Sequence, residues 1–126
     1  MPTRNVDTYY DRYVDGWNSH DPERVMEAFA DGGTISDPVT EGTLSGVEIE
    51  EWVEETTEGF SDVRFEVERR VADHDEGLLF VEWTMYGTHD GQFGPLPPTG
   101  QSVEVNGVDV ITFSDDGITC IKGSSI

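Results

Sequence analysis

The strand-like segment Val103–Phe113 carries one acidic side chain, Asp109, on a face that is otherwise apolar. Side chains two residues apart along a β-strand lie on the same face of a sheet. An ionised carboxylate costs several kcal/mol in an apolar environment unless it is paired or hydrogen-bonded, so this arrangement indicates a cavity. A carboxyl group in such a cavity is suited to general acid or base catalysis near neutral pH. Its neighbours on the face are Val103, Val105, Gly107, Ile111 and Phe113.

Two structural alternatives are open for Asp109. Its carboxylate can accept hydrogen bonds from backbone donors and have no chemical role. Gly107 can also mark a β-bulge, because glycine inside a strand often does. A bulge at Gly107 would reverse the alternation and turn Asp109 to the opposite face of the sheet.

His89 is the second candidate for chemistry, and it stands at the end of a predicted strand before a Gly-rich loop. Without a bulge, its side chain shares a face with Trp83 and Met85. We predict that it hydrogen-bonds a ligand carbonyl or pairs with Asp109. A histidine at such a place can equally cap a turn.

Asp37 is a candidate for a second carboxylate in the same cavity. It follows Ile35 by two positions and so can point inward with it. Two carboxylates close together would raise the pKa of one of them. The following residue, Pro38, favours a competing role in which Asp37 forms a turn.

A hydrophobic ligand-binding surface is predicted from six further side chains, each of which is equally suited to ordinary core packing. These are Tyr13, Trp17, Trp52, Phe60, Trp83 and Met85. The three histidines fall in separate turns without metal-ligand spacing, and Cys120 is the sole cysteine. The sequence therefore predicts neither a metal site nor a cofactor.

Three amphipathic helices are predicted in the N-terminal half. The first follows an apolar stripe from Val6 to Trp17 at helical spacing. The second begins at Asp21-Pro22, with Asp as N-cap and Pro at the first helical position. The third begins at a capping box that starts at Ser45. The inward positions of the second and third helices are Val25, Met26 and Phe29, and Ile49, Trp52, Val53 and Phe60.

The remaining segments alternate with the period of β-strands. A short strand is predicted at Thr34–Asp37, and the longer ones cover Val63–Val67, Leu78–Thr88, Val103–Phe113 and Ile118–Ile121. Helices gathered on one side of a curved antiparallel sheet make an α+β domain that encloses a cone-shaped pocket. We expect residues 1–126 to form this single domain.

The charge of the chain is strongly acidic, with 27 Asp and Glu against 7 Lys and Arg and a net charge of −20. The acids are dispersed through the predicted helices, a style typical of halophilic archaea and suited to high salt. The lack of a basic surface argues against nucleic acid and against anionic membranes as partners. The N-terminus has no apolar signal region and no segment reaches transmembrane length, which predicts a cytoplasmic protein.

Four short segments resemble the SnoaL-like polyketide cyclase branch of the NTF2-like superfamily, which includes nuclear transport factor 2 and ketosteroid isomerase. They are Gly87–Gly91, Pro97–Gly100, Gly107–Val110 and Asp116–Ile118. The resemblance covers essentially the whole chain and implies an NTF2-like cone fold. It also implies that Asp109 is the acid/base of an intramolecular aldol closure and that His89 lies near the substrate.

The resemblance favours a cofactor-free enzyme that carries out isomerisation or aldol-type cyclisation on a small apolar molecule with a carbonyl group. The alternative is a ligand-binding or dimerisation module without chemistry. It is supported by Thr119–Lys122, where the family commonly has an acidic residue, a His and a Trp. A third interpretation, epoxide hydrolysis, would need an Asp–Arg–Asp arrangement in the cavity.

We also expect a homodimer through the outer face of the sheet, which would carry Val108 and Val110, with Val71 and Phe80 alongside.

Overall fold

The computed structural model describes residues 6–37, 40 and 42–125 of this chain. It is a mixed α+β fold with three helices and a curved six-stranded sheet, which confirms the predicted fold class. The helices are α1 (Val6–Asn18), α2 (Pro22–Glu27) and α3 (Val47–Gly59). The strands are β1 (Phe29–Asp37), β2 (Gly42–Ser45), β3 (Arg64–Asp73), β4 (Leu78–Thr88), β5 (Ser102–Ser114) and β6 (Gly117–Ser125).

The sheet has the strand order β2-β1-β6-β5-β4-β3. All neighbours are antiparallel except β1 and β6, which are parallel, so the expectation of a purely antiparallel sheet was wrong at this one pair. Strand β2 is not among the strands predicted from the sequence; it pairs with β1 and places Leu44 opposite Ile35. The parallel pair places β1 beside β6. Both strands contribute residues to the cavity described below.

Helix α2 begins as predicted and ends earlier. The Asp21 carboxylate accepts hydrogen bonds from the backbone N–H groups of Glu23 and Arg24 at 3.1 and 3.3 Å, which is N-capping. The helix ends at Glu27, and Phe29, predicted on its inward face, is the first residue of β1. The Phe29 backbone is drawn into the sheet because β1 pairs with β6 there, a contact that helical periodicity does not register.

Helix α3 shows only half of the predicted capping box. Gly46 is its N-cap, at φ 56°, and no side chain caps the first turn. The Glu48 side chain accepts the Ser45 N–H at 3.2 Å, which is the reciprocal half of the box. The N-cap is one residue later than predicted, at Gly46 and not at Ser45. The sharp turn out of β2 requires a positive φ at this position, which glycine adopts readily.

The pairing of β4 with β5 decides which way Asp109 points. Their register runs without interruption from Leu78 opposite Thr112 to Thr88 opposite Ser102. No bulge occurs at Gly107, and the predicted alternation is confirmed, with Asp109 on the inner face opposite Val81. A Cβ on Gly107 would lie 2.1 Å from the Trp83 ring, so this glycine leaves room for the indole.

The hydrophobic core fills the space between α1, α2, α3 and the inner face of the sheet. Its fully buried side chains include Tyr10, Trp17, Ile49, Leu79, Ile111 and Ile121. Among residues 6–37, 40 and 42–125, no helix is long and apolar enough to cross a membrane.

Candidate active site

A cavity of about 250 Å³ lies between helices α1 and α3 and the inner face of the sheet. All seven side chains predicted to contact a ligand line it, together with Asp109. They are Tyr13, Trp17, Asp37, Trp52, Phe60, Trp83 and Met85. The fold therefore brings these residues together around one cavity, and their roles in binding a ligand stay predictions.

Other lining residues were not singled out from the sequence as site residues. Tyr10, Val14, Phe65 and Val67 lie on α1 and β3, and their periodicity indicated burial without separating cavity from core. Thr56 on α3 and Phe93 in the Gly/Pro-rich loop gave no signal of this kind. Phe93 reaches the cavity because its ring packs edge-on against Phe60 with 5.5 Å between centroids.

Asp109 is the buried carboxyl of this cavity, with 8% of the residue exposed. Burial is the main cause that raises its pKa to about 7, and the charge of the nearby Asp37 contributes to the rise. Trp83 and Tyr10 act in the opposite direction by favouring the charged form. The Tyr10 hydroxyl donates to Asp109 Oδ2 over 3.4 Å, a long hydrogen bond. The carboxyl thus exchanges its proton near neutral pH, which suits an acid/base group.

Asp37 and Asp109 meet across Gly123, which lies between them on β6. A Cβ on Gly123 would lie 2.8 Å from Asp109 Oδ1 and 3.2 Å from Asp37 Cβ. Because Gly123 has no side chain, both carboxyl groups have room in the same part of the cavity lining. We call this part, formed by Asp37, Asp109 and Gly123, the floor of the cavity. Asp37 also forms the predicted turn, because its Oδ1 accepts the Thr40 N–H at 3.2 Å. Both expectations for Asp37 are thus met by one side chain.

Two phenols and three indoles line the same cavity as the carboxyl pair. Burial raises the pKa of Tyr10 and of Tyr13 well above 10, and the charge of Asp109 adds to both shifts. Both phenols therefore stay protonated at neutral pH. The indole N–H groups of Trp17, Trp52 and Trp83 are buried and have no hydrogen-bond partner among the described residues. The Trp83 N–H does not reach hydrogen-bond geometry with Asp109, so its effect on that carboxyl is that of a nearby dipole.

His89 is not among the described residues that line the cavity, and its role beside a ligand stays a prediction. Its ring stacks on the far side of Phe60 with 5.1 Å between centroids, and Nδ1 is 3.2 Å from Thr99 Oγ1. Its carbonyl accepts the N–H groups of Thr99 and Gly100, and its own N–H donates to Gln101. The strand ends here and the chain turns, so that Phe60 separates the imidazole from the cavity. His89 holds the loop, as its alternative interpretation expected.

The outer face of the sheet carries the apolar residues predicted for it. Val71 and Phe80 are 68% and 45% exposed. They are opposite each other in the β3–β4 pair, and Val110 is opposite Phe80 in the β4–β5 pair. This face is separate from the cavity, which opens on the other side of the same strands.

The comparison with known proteins concerns nearly the whole chain. The model of the family described as SnoaL-like polyketide cyclase matches residues 7–122. None of the curated proteins matches the chain.

Solved structures with low sequence identity share the fold. A candidate SnoaL-like polyketide cyclase from Jannaschia sp. CCS1 is 20% identical, with a TM-score of 0.82 over 99% of this chain and 88% of its own. The candidate hydroxylase AclR from Streptomyces galilaeus is 21% identical, with a TM-score of 0.81 over 96% and 74%. The epoxide hydrolase/cyclase-like enzyme SalBIII, described with a role in pyran ring formation in salinomycin, is 22% identical, with a TM-score of 0.79 over 96% and 90%. At these identities the likeness shows the fold alone.

Proposed function

Because this chain belongs to the SnoaL-like polyketide cyclase family, we propose that it is a small-molecule cyclase or isomerase whose proton-transferring group is Asp109. The observation that carries the proposal is the buried position of Asp109 on the cavity floor with a pKa of about 7. At that pKa, comparable amounts of acid and base are present at neutral pH, which is the condition for efficient proton transfer in both directions.

The reaction is a proton transfer next to a carbonyl group. Ionised Asp109 removes a proton from the carbon beside the ligand carbonyl, and the electron pair of the broken C–H bond forms an enolate. In a cyclisation, the enolate carbon attacks a second carbonyl of the same molecule, and the proton on Asp109 is delivered to the new alkoxide. In an isomerisation, the proton returns to a different carbon. Both sequences return Asp109 to its starting state and need no cofactor.

The cavity selects an apolar molecule of limited size. Its lining is apolar apart from the carboxyl, phenol, hydroxyl and indole groups already described. An apolar protein cavity of roughly 150 Å³ holds one benzene molecule, so about 250 Å³ corresponds roughly to a compound with two fused rings. The proposed ligand is an apolar ketone of that size.

Hydrogen exchange at carbon tests the proposal without knowledge of the natural substrate. A panel of bicyclic ketones is incubated with the protein in D₂O, and deuterium incorporation beside the carbonyl is followed by NMR. We expect Asp109→Asn to lower the catalysed exchange by at least about 100-fold, because the general base is lost. Asp116→Asn, at an exposed aspartate in the β5–β6 turn, is the matched control and should leave the rate unchanged. Unchanged exchange in Asp109→Asn would contradict the proposal.

A ligand-binding module without chemistry is the second candidate. It is favoured by Thr119–Lys122 of β6, where the family commonly has an acidic residue, a His and a Trp and where this chain has the buried apolar residue Ile121. This alternative predicts that the ketones bind with equal affinity to the wild-type protein and to the Asp109→Asn variant. It also predicts that the ketones incorporate no deuterium with either protein.

Epoxide hydrolysis is not favoured by the cavity. No arginine lies among the described residues that line it, so the Asp–Arg–Asp arrangement is missing there. Arg64 lies on the outer face of the sheet beside Glu66, and the guanidinium of Arg70 is held by two aspartates of α1.

We further propose that two copies of the chain associate through the outer face around Val71, Phe80 and Val110. Adjacent exposed apolar side chains on a sheet favour such a contact. Phe80→Asp should convert a dimer to a monomer in analytical ultracentrifugation, whereas Glu54→Gln on the opposite side should not. A protein that is monomeric at all concentrations tested would contradict this.

A further inference from the structure

A β-bulge in β3 turns one arginine toward the helices. The β3–β4 register shifts between Val67 and Arg69, so that Arg69 is opposite Glu82 and Arg70 is opposite Val81. Val81 lies on the inner face, opposite Asp109 in the next pair of strands. Arg70 therefore lies on the same face as Asp109, two strands away, whereas Arg69 lies on the outer face.

Two aspartates of α1 hold the Arg70 guanidinium. Arg70 Nη1 lies 3.2 Å from Asp7 Oδ1, and Nη2 lies 2.9 Å from Asp11 Oδ1. Asp7 and Asp11 are one helical turn apart, so their carboxylates match the two ends of the guanidinium fork. The Arg70 side chain is only 28% exposed. Solvent therefore screens its charge less than it screens the charge of an ordinary surface arginine.

The guanidinium also covers a residue that contacts the candidate acid/base. The Arg70 Cζ lies 5.6 Å from the centroid of the Tyr10 ring, within the range of a cation–π contact. The hydroxyl of the same ring donates to Asp109 Oδ2. Tyr10 is thus held by Arg70 on its ring and touches Asp109 with its hydroxyl.

We propose that Arg70 is a positioning residue for Asp109, acting through Tyr10 and anchored by Asp7 and Asp11. The guanidinium fixes the plane of the phenol, and the phenol hydroxyl stabilises the carboxylate form of Asp109. Arg70 is not among the described residues that line the cavity. The inference rests on the proposed role of Asp109 in proton transfer and adds a residue that adjusts its acidity from outside the cavity.

Other charged and titratable groups face the same side chains and act on the same equilibrium. Asp37 on β1 and Tyr13 on α1 lie near Asp109 and interact with its charge. His74, in the β3–β4 turn, lies 3.7 Å from Asp7, the aspartate that binds Arg70. A measured shift must therefore be compared with that of a variant that changes the net charge equally.

The test measures the pKa of Asp109 by carboxyl-carbon NMR titration, with Asp109→Asn to assign the signal. The variants are Tyr10→Phe, Arg70→Met, the double variant, and Arg69→Met as the matched control. Arg69 is the neighbouring arginine, is paired with Glu82 on the outer face and loses the same charge. Far-UV circular dichroism checks that each variant is folded.

We expect Tyr10→Phe to raise the pKa of Asp109 by about one unit, since a hydrogen bond to a charged group is lost. Arg70→Met should raise it by about half a unit and Arg69→Met by much less, because only Arg70 holds Tyr10. In the Tyr10→Phe background, Arg70→Met should add no more than Arg69→Met adds. If Arg70→Met does not fold, Arg70→Lys replaces it and should also raise the pKa, because an ammonium group lacks the fork that binds both aspartates.

Two results would overturn the inference. One is a shift in Arg70→Met no larger than that in Arg69→Met. The other is a shift in Arg70→Met that persists in full without the Tyr10 hydroxyl, which would make Arg70 only a distant charge. A wild-type Asp109 that titrates near 3.9 would instead contradict the proposed function, and the comparison of variants would still decide the role of Arg70.

Discussion

The pKa values of aspartates at two places in this molecule are shifted in opposite directions from the ordinary value. On the cavity floor, burial and the neighbouring Asp37 raise the pKa of Asp109 to about 7. At the junction of α3 with the end of β4, Asp62 and Asp90 are exposed, and their pKa values are lowered. The comparison shows that local environment, and not the overall acidity of the chain, decides what a carboxyl group does here.

Hydrogen-bond donors account for the junction. Asp62 Oδ1 accepts the Thr88 N–H at 2.7 Å and Oδ2 accepts the Thr88 hydroxyl at 2.9 Å. Asp90 likewise accepts from the Ser61 hydroxyl and, at 3.0 Å, from the Ser61 N–H. These donors stabilise the charged form and tie the two segments together. On the floor, Asp109 is removed from water, and among the described residues the hydrogen bond that it receives is the long one from Tyr10.

The largest expected effect is the pH dependence of stability contributed by Asp109. Its folded-state pKa is raised, so the folded protein binds more protons than the unfolded chain between about pH 4 and pH 7. Stability contributed by this group therefore falls across that window, in total by something on the order of 4 kcal/mol. Asp109→Asn should remove this fall, so that the variant gains stability relative to the wild type as the pH rises.

Urea unfolding at pH 4, 5.5, 7 and 8 measures this difference, with Asp116→Asn as the control for loss of one charge. A wild type and an Asp109→Asn variant whose stabilities differ equally at all four pH values would show that the floor carboxyl is not desolvated.

A smaller effect is expected when the space between the two floor carboxyls is filled. Gly123→Ala would place a methyl group 2.8 Å from Asp109 Oδ1 and 3.2 Å from Asp37 Cβ. We expect a loss of about 1–3 kcal/mol in the free energy of unfolding, as for overpacking elsewhere in protein interiors. Asp109→Ser should relieve most of it in the double variant, because the clashing oxygen is removed. Equal costs of Gly123→Ala in both backgrounds would mean that the carboxyl pair does not depend on this glycine.

At the junction, the expected change is modest and has the opposite pH dependence. The lowered pKa of Asp62 contributes stability above the unfolded value near pH 4, which is lost as the pH falls through the folded value. Asp62→Asn should therefore lower the thermal midpoint at pH 7 and lower it less at pH 3. Glu54→Gln, an exposed acid on α3, is the control. A loss that is as large at pH 3 as at pH 7 would assign Asp62 a role independent of its charge.

The smallest predicted effect is a difference between the two regions in how strongly salt changes the pKa values of their aspartates. The screening length shrinks to about 3 Å at 1 M salt, so exposed charges interact less there. Raising KCl from 0.1 to 2 M should shift the pKa values of the exposed Asp62 and Asp90 more than that of the buried Asp109. Thermal stability should rise over the same range, since the net charge of −20 repels itself less. Stability that falls with KCl would contradict the expectation of adaptation to high salt.

Much of the candidate site follows from local patterns in the sequence. Alternation along β5 placed Asp109 on the inner face, and the helical stripe of α1 placed Tyr13 and Trp17 toward the same side. The N-cap at Asp21 was predicted from the Asp-Pro pair. These features depend on neighbours within one turn or one strand, where side-chain direction is set by backbone geometry.

Tertiary structure alone decided how the residues of the candidate site are arranged. The pairing of β1 with β6 brings Asp37 next to Asp109, the bulge in β3 turns Arg70 inward, and a strand end places His89 behind Phe60. Each depends on which strands pair and in what register, and a shift of one residue reverses every side chain beyond it. The sequence by itself determined the types of residue and their faces. The fold determined their distances, and with them the burial that moves the pKa of Asp109 into the neutral range.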